Sequence, residues 1–226
     1  MFDPAGAQAG KYSVYDAAIY IADAALVLMT TQPDLGITNP YALDATQFQA
    51  AVDLLRAQKP AVGEYWSDYN KQIDSFTNGN TTMGTTWQII VFFIPQPVEA
   101  IKPAEGATGW SDTWMINSRT QSPNCAYRFI NHITSAPVNA AIADFFGEAP
   151  GNSKSCTLTL DEFTPTYSGF PSMEEICANF HAADVPYWDD VFYWTTPTVA
   201  CLDGRSGPCV GFDDWISAWV DIRSGG

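Results

Sequence analysis

Residues 12–29 read YSVYDAAIYIADAALVLM, and this stretch decides the fold class. Its first five residues are typical of a short strand, because aromatic and β-branched residues favour extended chain. Apolar residues then recur every three or four positions, at Ile19, Ala22 and Leu26, which predicts a helix. A strand that leads directly into a helix is typical of proteins in which helices cover a largely parallel sheet. We therefore expect an α/β fold.

The rest of the chain continues this alternation of strands and helices. Asp44 and Pro60 bracket a second helix, the first as its N-cap and the second as its stop. The strongly apolar segment 88–94 predicts a buried helix. Further helices are predicted over 64–76, 125–133, 138–145, 173–180 and 212–220, and strands over 81–87, 98–102 and 109–116.

Composition limits the classes of partner. The chain has 226 residues, 46% of them hydrophobic, which is ample for a core. Its formal charge of −15 disfavours nucleic acid, whose binding needs Lys and Arg to neutralise phosphates, and favours cationic partners. We find no phosphate loop, dinucleotide fingerprint or metal-ligand spacing, so no cofactor and no metal are expected.

The five cysteines predict disulfides rather than a metal site, because none of them form a Cys-x-x-Cys pair. Cys201 and Cys209 bracket the turn-rich loop LDGRSGP and are a candidate pair. Cys125, Cys156 and Cys177 remain, and their pairing stays open. Disulfides imply an oxidising compartment.

The chain starts with MFDPAG, which lacks the features of an export signal. Its longest apolar run, 89–94, is far shorter than the roughly 20 residues of a membrane-spanning helix. Because disulfides without an export signal are unusual, we expect a fragment or a mature form of an exported protein.

Residues 109–116 read GWSDTWMI and carry the strongest indication of function. On an extended strand Trp110, Asp112 and Trp114 point to one face, because side chains alternate with period two. Such a face offers an organic cation a counter-charge and aromatic rings, and each cation–π contact contributes roughly 0.5–2 kcal/mol. The alternative is that the tryptophans belong to the core and Asp112 caps a strand end.

The order of short motifs along the chain resembles the substrate-binding proteins of bacterial ABC importers. The likeness is to the spermidine/putrescine-binding group, which has the two-lobed, type II periplasmic-binding fold. The motifs are YSVYD (12–16), YWSDY (65–69), FTNG (76–79), MGTTW (83–87), GWSDTWMI (109–116), PNCAY (123–127), FGEAP (146–150) and YWTTP (193–197).

The resemblance implies a division of the chain and a missing part. Residues 1–110 would form the second, C-terminal lobe, 111–149 a hinge return with part of the first lobe, and 150–226 C-terminal helices that return to the second lobe. The N-terminal part, with the signal peptide and most of the first lobe, would be absent, which leaves that lobe incomplete. The helices over 125–133 and 138–145 would then lack the sheet they cover, and their apolar stripes would be exposed.

The resemblance also assigns ligand contacts. Trp110 and Asp112 match the aromatic residue and carboxylate of the hinge strand, and Trp87 matches the aromatic residue that ends a second-lobe strand. Asp16 lies near the acidic contacts that follow the first strand of this lobe. Tyr15 either adds a ring to the site or belongs to the core.

Two departures from the family pattern concern the identity of the ligand. Ala17 and Tyr20 stand where the clearest polyamine binders carry acids. Glu148, which we include among the candidate contacts, stands where an aromatic residue is usual.

The function implied is that of a non-enzymatic importer component, which binds a small organic cation, most of all a polyamine, in a cleft between lobes. Its partner would be the membrane permease of the importer. Its location would be periplasmic or extracellular, with a lipid anchor conceivable in the full-length form. The alternatives are a sugar- or opine-binding protein of the same fold and, less favoured, a secreted glycosidase. A serine hydrolase is disfavoured because residues 109–113 lack the second glycine of a nucleophile elbow.

Overall fold

A computed structural model describes residues 1–225. The chain packs into two compact units. Unit 1 comprises Met1–Trp110 together with the residues from Asp190 onward, and unit 2 is Ser111–Asp189. Residues 150–189 therefore pack within unit 2, whereas the predicted division placed them with the C-terminal helices. The reason is that helices in this segment share a core with the helix over 136–146. The assignment of the units to first and second lobes stays a prediction.

The main sheet of unit 1 is built around the first strand of the chain. Strand β1 (Tyr12–Tyr15) lies between β2 (Val62–Trp66) and β3 (Met83–Gly84), and both pairings are parallel. Parallel neighbours need crossover connections, which the helices of the chain supply. The predicted α/β fold with a largely parallel sheet is confirmed.

Helices α1 (Ile21–Thr31) and α2 (Ala45–Gln58) connect β1 to β2, and α3 (Tyr69–Thr77) connects β2 to β3. The predicted N-cap of α2 is present: the Asp44 carboxylate accepts hydrogen bonds from two amides of the first turn, and the side chain of Gln47 accepts one from the Asp44 amide. Helices α1 and α2 bury one face each in the main core of unit 1.

The predicted helix over 64–76 is wrong in its first part. Residues 62–66 form β2, and the helix α3 begins only at Tyr69. Residues 62–66 pair with β1, with one shift of register between Tyr12 and Ser13, and Asp68 caps the helix by accepting from the Asn70 amide. Tertiary pairing therefore overrides the helical spacing of residues 64–68.

The predicted strands over 81–87 and 98–102 are largely absent. In the first only Met83–Gly84 pair with β1, and no strand is assigned within 98–102. The segment predicted as a buried helix forms a 3-10 helix over Gln88–Phe93, in which Ile90 is buried while Phe92 and Phe93 are exposed.

Unit 1 has a second, two-stranded parallel sheet. Strand β4 (Ala107–Gly109) pairs in register with the strand over Val191–Tyr193, which is β5. The predicted strand over 109–116 is wrong because β4 ends at Gly109, and residues 110–116 have no regular structure. The strand alternation that would put Trp110, Asp112 and Trp114 on one face therefore does not apply.

Unit 2 is built from helices that follow that loop. They are α4 (Pro123–Ile133), α5 (Ala136–Phe146), α6 (Met173–Asn179) and α7 (Val185–Trp188). Residues of α5 and α6 form a small core, including Ala140, Ala143 and Ile176. The last helix of the chain, α8 (Phe212–Ser224), belongs to unit 1, where Trp215 and Trp219 join the main core.

Helix α4 buries none of its residues. Large apolar side chains of unit 2 are exposed on α4, on α5 and in the loops beside them, and we call this set the apolar face of unit 2. Its members are Trp114, Met115, Tyr127, Phe129, Phe145, Phe146 and Tyr167. Of the apolar stripes expected to be exposed on the helices over 125–133 and 138–145, Phe129 and Phe145 are exposed, whereas Ile130, Ile133 and Ile142 are half-buried.

Two disulfides are present among the described residues. Cys201 is bonded to Cys209, as the loop between them predicted, and Cys156 is bonded to Cys177. Cys125 is a free, exposed thiol on α4. Among the described helices, none is both long enough and apolar enough to span a membrane.

Candidate ligand site

An aromatic side chain stands at the carboxyl end of each strand described in unit 1. Tyr15 ends β1 and Trp66 ends β2, while Trp87, Trp110 and Trp194 follow β3, β4 and β5. Because the strands within each sheet are parallel, their carboxyl ends share an edge. In open α/β sheets that edge is where ligands bind. We call these five residues the aromatic cluster.

Four of the five rings form a closed circuit of contacts. The ring centroids are 5.8 Å apart for Tyr15–Trp87, 5.8 Å for Trp87–Trp110, 5.6 Å for Trp110–Trp194 and 5.9 Å for Trp194–Tyr15. These spacings lie in the range of favourable aromatic pairs. The exposed fraction of Trp110 is 44%, so the circuit opens to solvent there.

Trp66 supports the circuit from the protein interior. It is fully buried, with its centroid 5.0 Å from Tyr15 and 5.3 Å from Trp87. Its indole nitrogen donates a hydrogen bond to the carbonyl of Thr85, at 3.1 Å, so its single donor is satisfied. Trp66 is therefore held in one position, and the more exposed rings of Tyr15 and Trp87 pack against it.

A cavity of about 310 Å³ adjoins the cluster within unit 1. Tyr15 and Trp194 form one part of its wall, and Phe212 at the start of α8 forms another. The hydroxyl-bearing Thr195 and Thr196 line it as well. The size is at the lower end of the range of about 300–1,000 Å³ that is usual for small-molecule sites.

Asp16, a predicted ligand contact, is engaged in an ion pair. Arg223 donates from Nε to Oδ1 at 2.9 Å and from Nη2 to Oδ2 at 3.0 Å, and Trp219 Nε1 donates to Oδ1 at 3.0 Å. The Arg223 guanidinium also lies 3.7 Å from the centre of the Tyr65 ring. The charge of Asp16 is therefore compensated within unit 1, and the pair ties α8 to the end of β1.

Two other predicted contacts, Asp112 and Glu148, are close enough to interact in unit 2. Burial, and then the negative charge of Asp112, raise the pKa of the Glu148 carboxyl above its usual range. Asp112 itself is exposed. Two neighbouring carboxylates of this kind favour a cation, because a positive charge relieves their mutual repulsion.

The structure thus brings Tyr15, Trp87 and Trp110 into one cluster and pairs Asp112 with Glu148 in unit 2. Whether these residues bind a ligand stays a prediction. The two members of the cluster that the sequence did not single out are Trp66 and Trp194. Both lie in motifs that carry the family resemblance, and their places in YWSDY and YWTTP are the signal by which they could have been found.

Comparison with known proteins identifies the family. Residues 1–168 match the family described as bacterial extracellular solute-binding protein. The chain belongs to this family. Its members are solute-binding proteins and not enzymes.

Two curated relatives share the sequence at a lower level. They are the spermidine/putrescine-binding periplasmic proteins of Salmonella typhimurium and Salmonella typhi, each 24% identical over 136 residues. The matched region covers 59% of this chain and 38% of each relative. The chain therefore spans less than half the length of the curated relatives it matches.

Proposed function

We propose that the chain is part of the substrate-binding component of an ABC importer and that it binds a small organic cation at the aromatic cluster. The observation that carries this proposal is the aromatic ring at the carboxyl end of each described strand of unit 1. Ring faces attract a cation by roughly 0.5–2 kcal/mol each. The net charge of −15 adds a long-range attraction for cations and speeds their encounter with the site.

A polyamine is the first ligand to test. The two curated relatives are named for spermidine and putrescine. Within unit 2, the Asp112–Glu148 pair offers acceptors of the kind that the N–H bonds of a primary ammonium group need. A periplasmic or extracellular location and a membrane permease as partner follow from the same proposal.

Calorimetric titration with putrescine and spermidine tests this function. We expect weak binding, with a Kd above micromolar. Micromolar binding needs about 8 kcal/mol, and a few cation–π contacts with one charged hydrogen bond reach that only before association entropy is subtracted. The Trp87→Ala and Trp110→Ala variants should lose most of the heat of binding. Trp114→Ala is the matched control, because Trp114 is a similarly exposed tryptophan outside the cluster.

Two results would count against the proposal. Unchanged binding in Trp87→Ala and Trp110→Ala would place the ligand elsewhere. Sub-micromolar binding by the wild-type chain would contradict the expectation that part of the site lies outside these 226 residues.

A sugar or opine ligand on the same fold is the second candidate, favoured by the exposed tryptophan Trp110 of the cluster. Replacement of Asp112 by Asn separates the two cases. It should abolish binding of a polyamine, whereas a neutral sugar should keep nearly the same affinity.

We also propose that the apolar face of unit 2 packs against polypeptide outside these 226 residues, equivalent to the part of the relatives that this chain does not match. An 11-residue helix without buried side chains, such as α4, is marginal by itself. The residues encoded upstream of Met1 are the first test, and a signal peptide with an α/β lobe is the expected finding. Co-expression with that lobe should protect the Cys125 thiol of α4 from maleimide, and unchanged labelling would contradict the proposal.

A further inference from the structure

The wall of the cavity beside the aromatic cluster carries no charged side chain. Its lining consists of the rings of Tyr15, Trp194 and Phe212, the hydroxyl-bearing Thr195 and Thr196, and three small or aliphatic residues. A ligand that enters this cavity therefore meets ring faces, methyl groups and hydroxyl oxygens, but no carboxylate of the wall.

Three of the carboxylates of unit 1 that lie near members of the cluster in sequence have cationic partners, and Asp68, two residues after Trp66, caps α3. The pairs are Asp16 with Arg223 at 2.9 Å, Glu64 with Lys71 at 3.7 Å and Asp190 with Lys102 at 3.8 Å. In each pair the cation already offsets part of the negative charge of the acid. The wall of the cavity thus offers a cation mainly aromatic surface.

Ammonium groups differ in how well such a surface suits them. A primary ammonium has three N–H donors, and burying them without acceptors costs free energy. An N-methylated, quaternary ammonium has no N–H bond to satisfy, and its methyl groups gain from contact with apolar walls. Aromatic sites are the usual means by which proteins recognise this kind of cation.

We infer that the cavity and the aromatic cluster together select a quaternary, N-methylated ammonium compound over a primary amine. The inference rests on the proposed cation-binding function and narrows it to a class of ligand. The cavity volume of about 310 Å³ suits one methylated head group with a short neutral tail, which the hydroxyls of Thr195 and Thr196 would meet.

Calorimetric titration of the intact chain with tetramethylammonium, choline, putrescine and glucose tests the inference. Tetramethylammonium and choline should bind at least tenfold more tightly than putrescine, and glucose should not bind. Trp194→Ala and Phe212→Leu should weaken choline binding at least tenfold, with circular dichroism as the check on folding. Trp114→Ala should leave the affinity for tetramethylammonium unchanged.

A gain-of-function variant makes the test independent of loss of folding. Thr196 is exposed, so Thr196→Asp adds a carboxylate to the cavity wall without entering the core. It should raise the affinity for putrescine at least tenfold relative to that for choline.

The outcomes separate the inference from the function on which it rests. Equal or tighter binding of putrescine by the wild-type chain overturns the preference for methylated ammonium and leaves cation binding intact. The absence of binding by every cation overturns both.

Discussion

Asp23, on the first turn of α1, should make the stability of unit 1 depend on pH near neutrality. Its carboxyl group is enclosed by protein, although the residue keeps some exposed surface. Thr108 of β4 donates a hydrogen bond to Asp23 Oδ1 at 2.9 Å. Burial raises the pKa of Asp23 to about 7, and the Thr108 bond offsets only part of that rise. The perturbation we propose is Asp23→Asn, which keeps the shape and the acceptor but removes the titration.

The expected magnitude follows from the two pKa values. An aspartate in an unfolded chain has a pKa of about 3.9, and each unit of difference corresponds to about 1.4 kcal/mol. Because the folded pKa is raised, the protonated form favours folding. This stabilisation is complete below about pH 4 and is lost as the pH rises through 7. Between pH 4 and pH 8, Asp23→Asn should therefore gain up to about 4 kcal/mol of stability relative to the wild type.

Urea unfolding followed by tryptophan fluorescence, at a series of pH values from 4 to 8, measures this difference. Asp34→Asn is the matched control, because Asp34 is an exposed carboxylate a few residues after α1. The free energy of unfolding of this control should equal that of the wild type at every pH. The reasoning would be refuted if the free energy of unfolding of Asp23→Asn changed with pH in the same way as that of the wild type. The enclosed carboxyl group would then not titrate as the structure indicates.

Three further changes should affect stability in measurable ways. Asp144→Ala removes a buried carboxylate that accepts from three loop amides and a hydroxyl, and should cost about 2–3 kcal/mol in urea unfolding; an unchanged midpoint would contradict this. Cys177→Ser opens the disulfide that closes residues 156–177 and should cost about 3 kcal/mol, seen as a lower Tm, and an unchanged Tm would contradict this. Arg223→Met should cost about 1–2 kcal/mol, because it leaves the Asp16 carboxylate without its cation. Arg56→Met, at an exposed pair on α2, should cost under about 0.5 kcal/mol. Equal losses of stability in Arg223→Met and Arg56→Met would show that the Asp16–Arg223 pair stabilises the fold no more than an exposed pair does.

Helices were predictable from the sequence to a much greater degree than strands. The helix that starts after Asp44 and the one that ends at Gly147 follow local rules, since a capping side chain and a left-handed glycine act on neighbouring residues. The predicted strand over 109–116 failed because a strand needs a partner. Residues 107–109 have one in β5, about 80 positions later in the chain, and residues 110–116 have none assigned.

The candidate site shows the same division. Trp87, Trp110 and Tyr15 could be selected because each stands at the end of an apolar or extended segment or in a recognisable motif. Trp194 could not be joined to them, because its contact with Tyr15 spans most of the chain. The ion pair between Asp16 and Arg223, 207 residues apart, could not be predicted from the sequence either, because both partners belong to segments far apart in the chain.

By itself, the sequence determined the family, the α/β class and the helices with their caps, since these depend on composition, motif order and interactions within a few residues. Only the tertiary structure decided which strands pair, that Cys156 bonds to Cys177, and that five aromatic rings from five strand ends meet in one cluster. The physical reason is that these contacts join residues distant in the chain. Their partners are set by how the helices and sheets pack around a shared core, and local patterns carry no information about that packing.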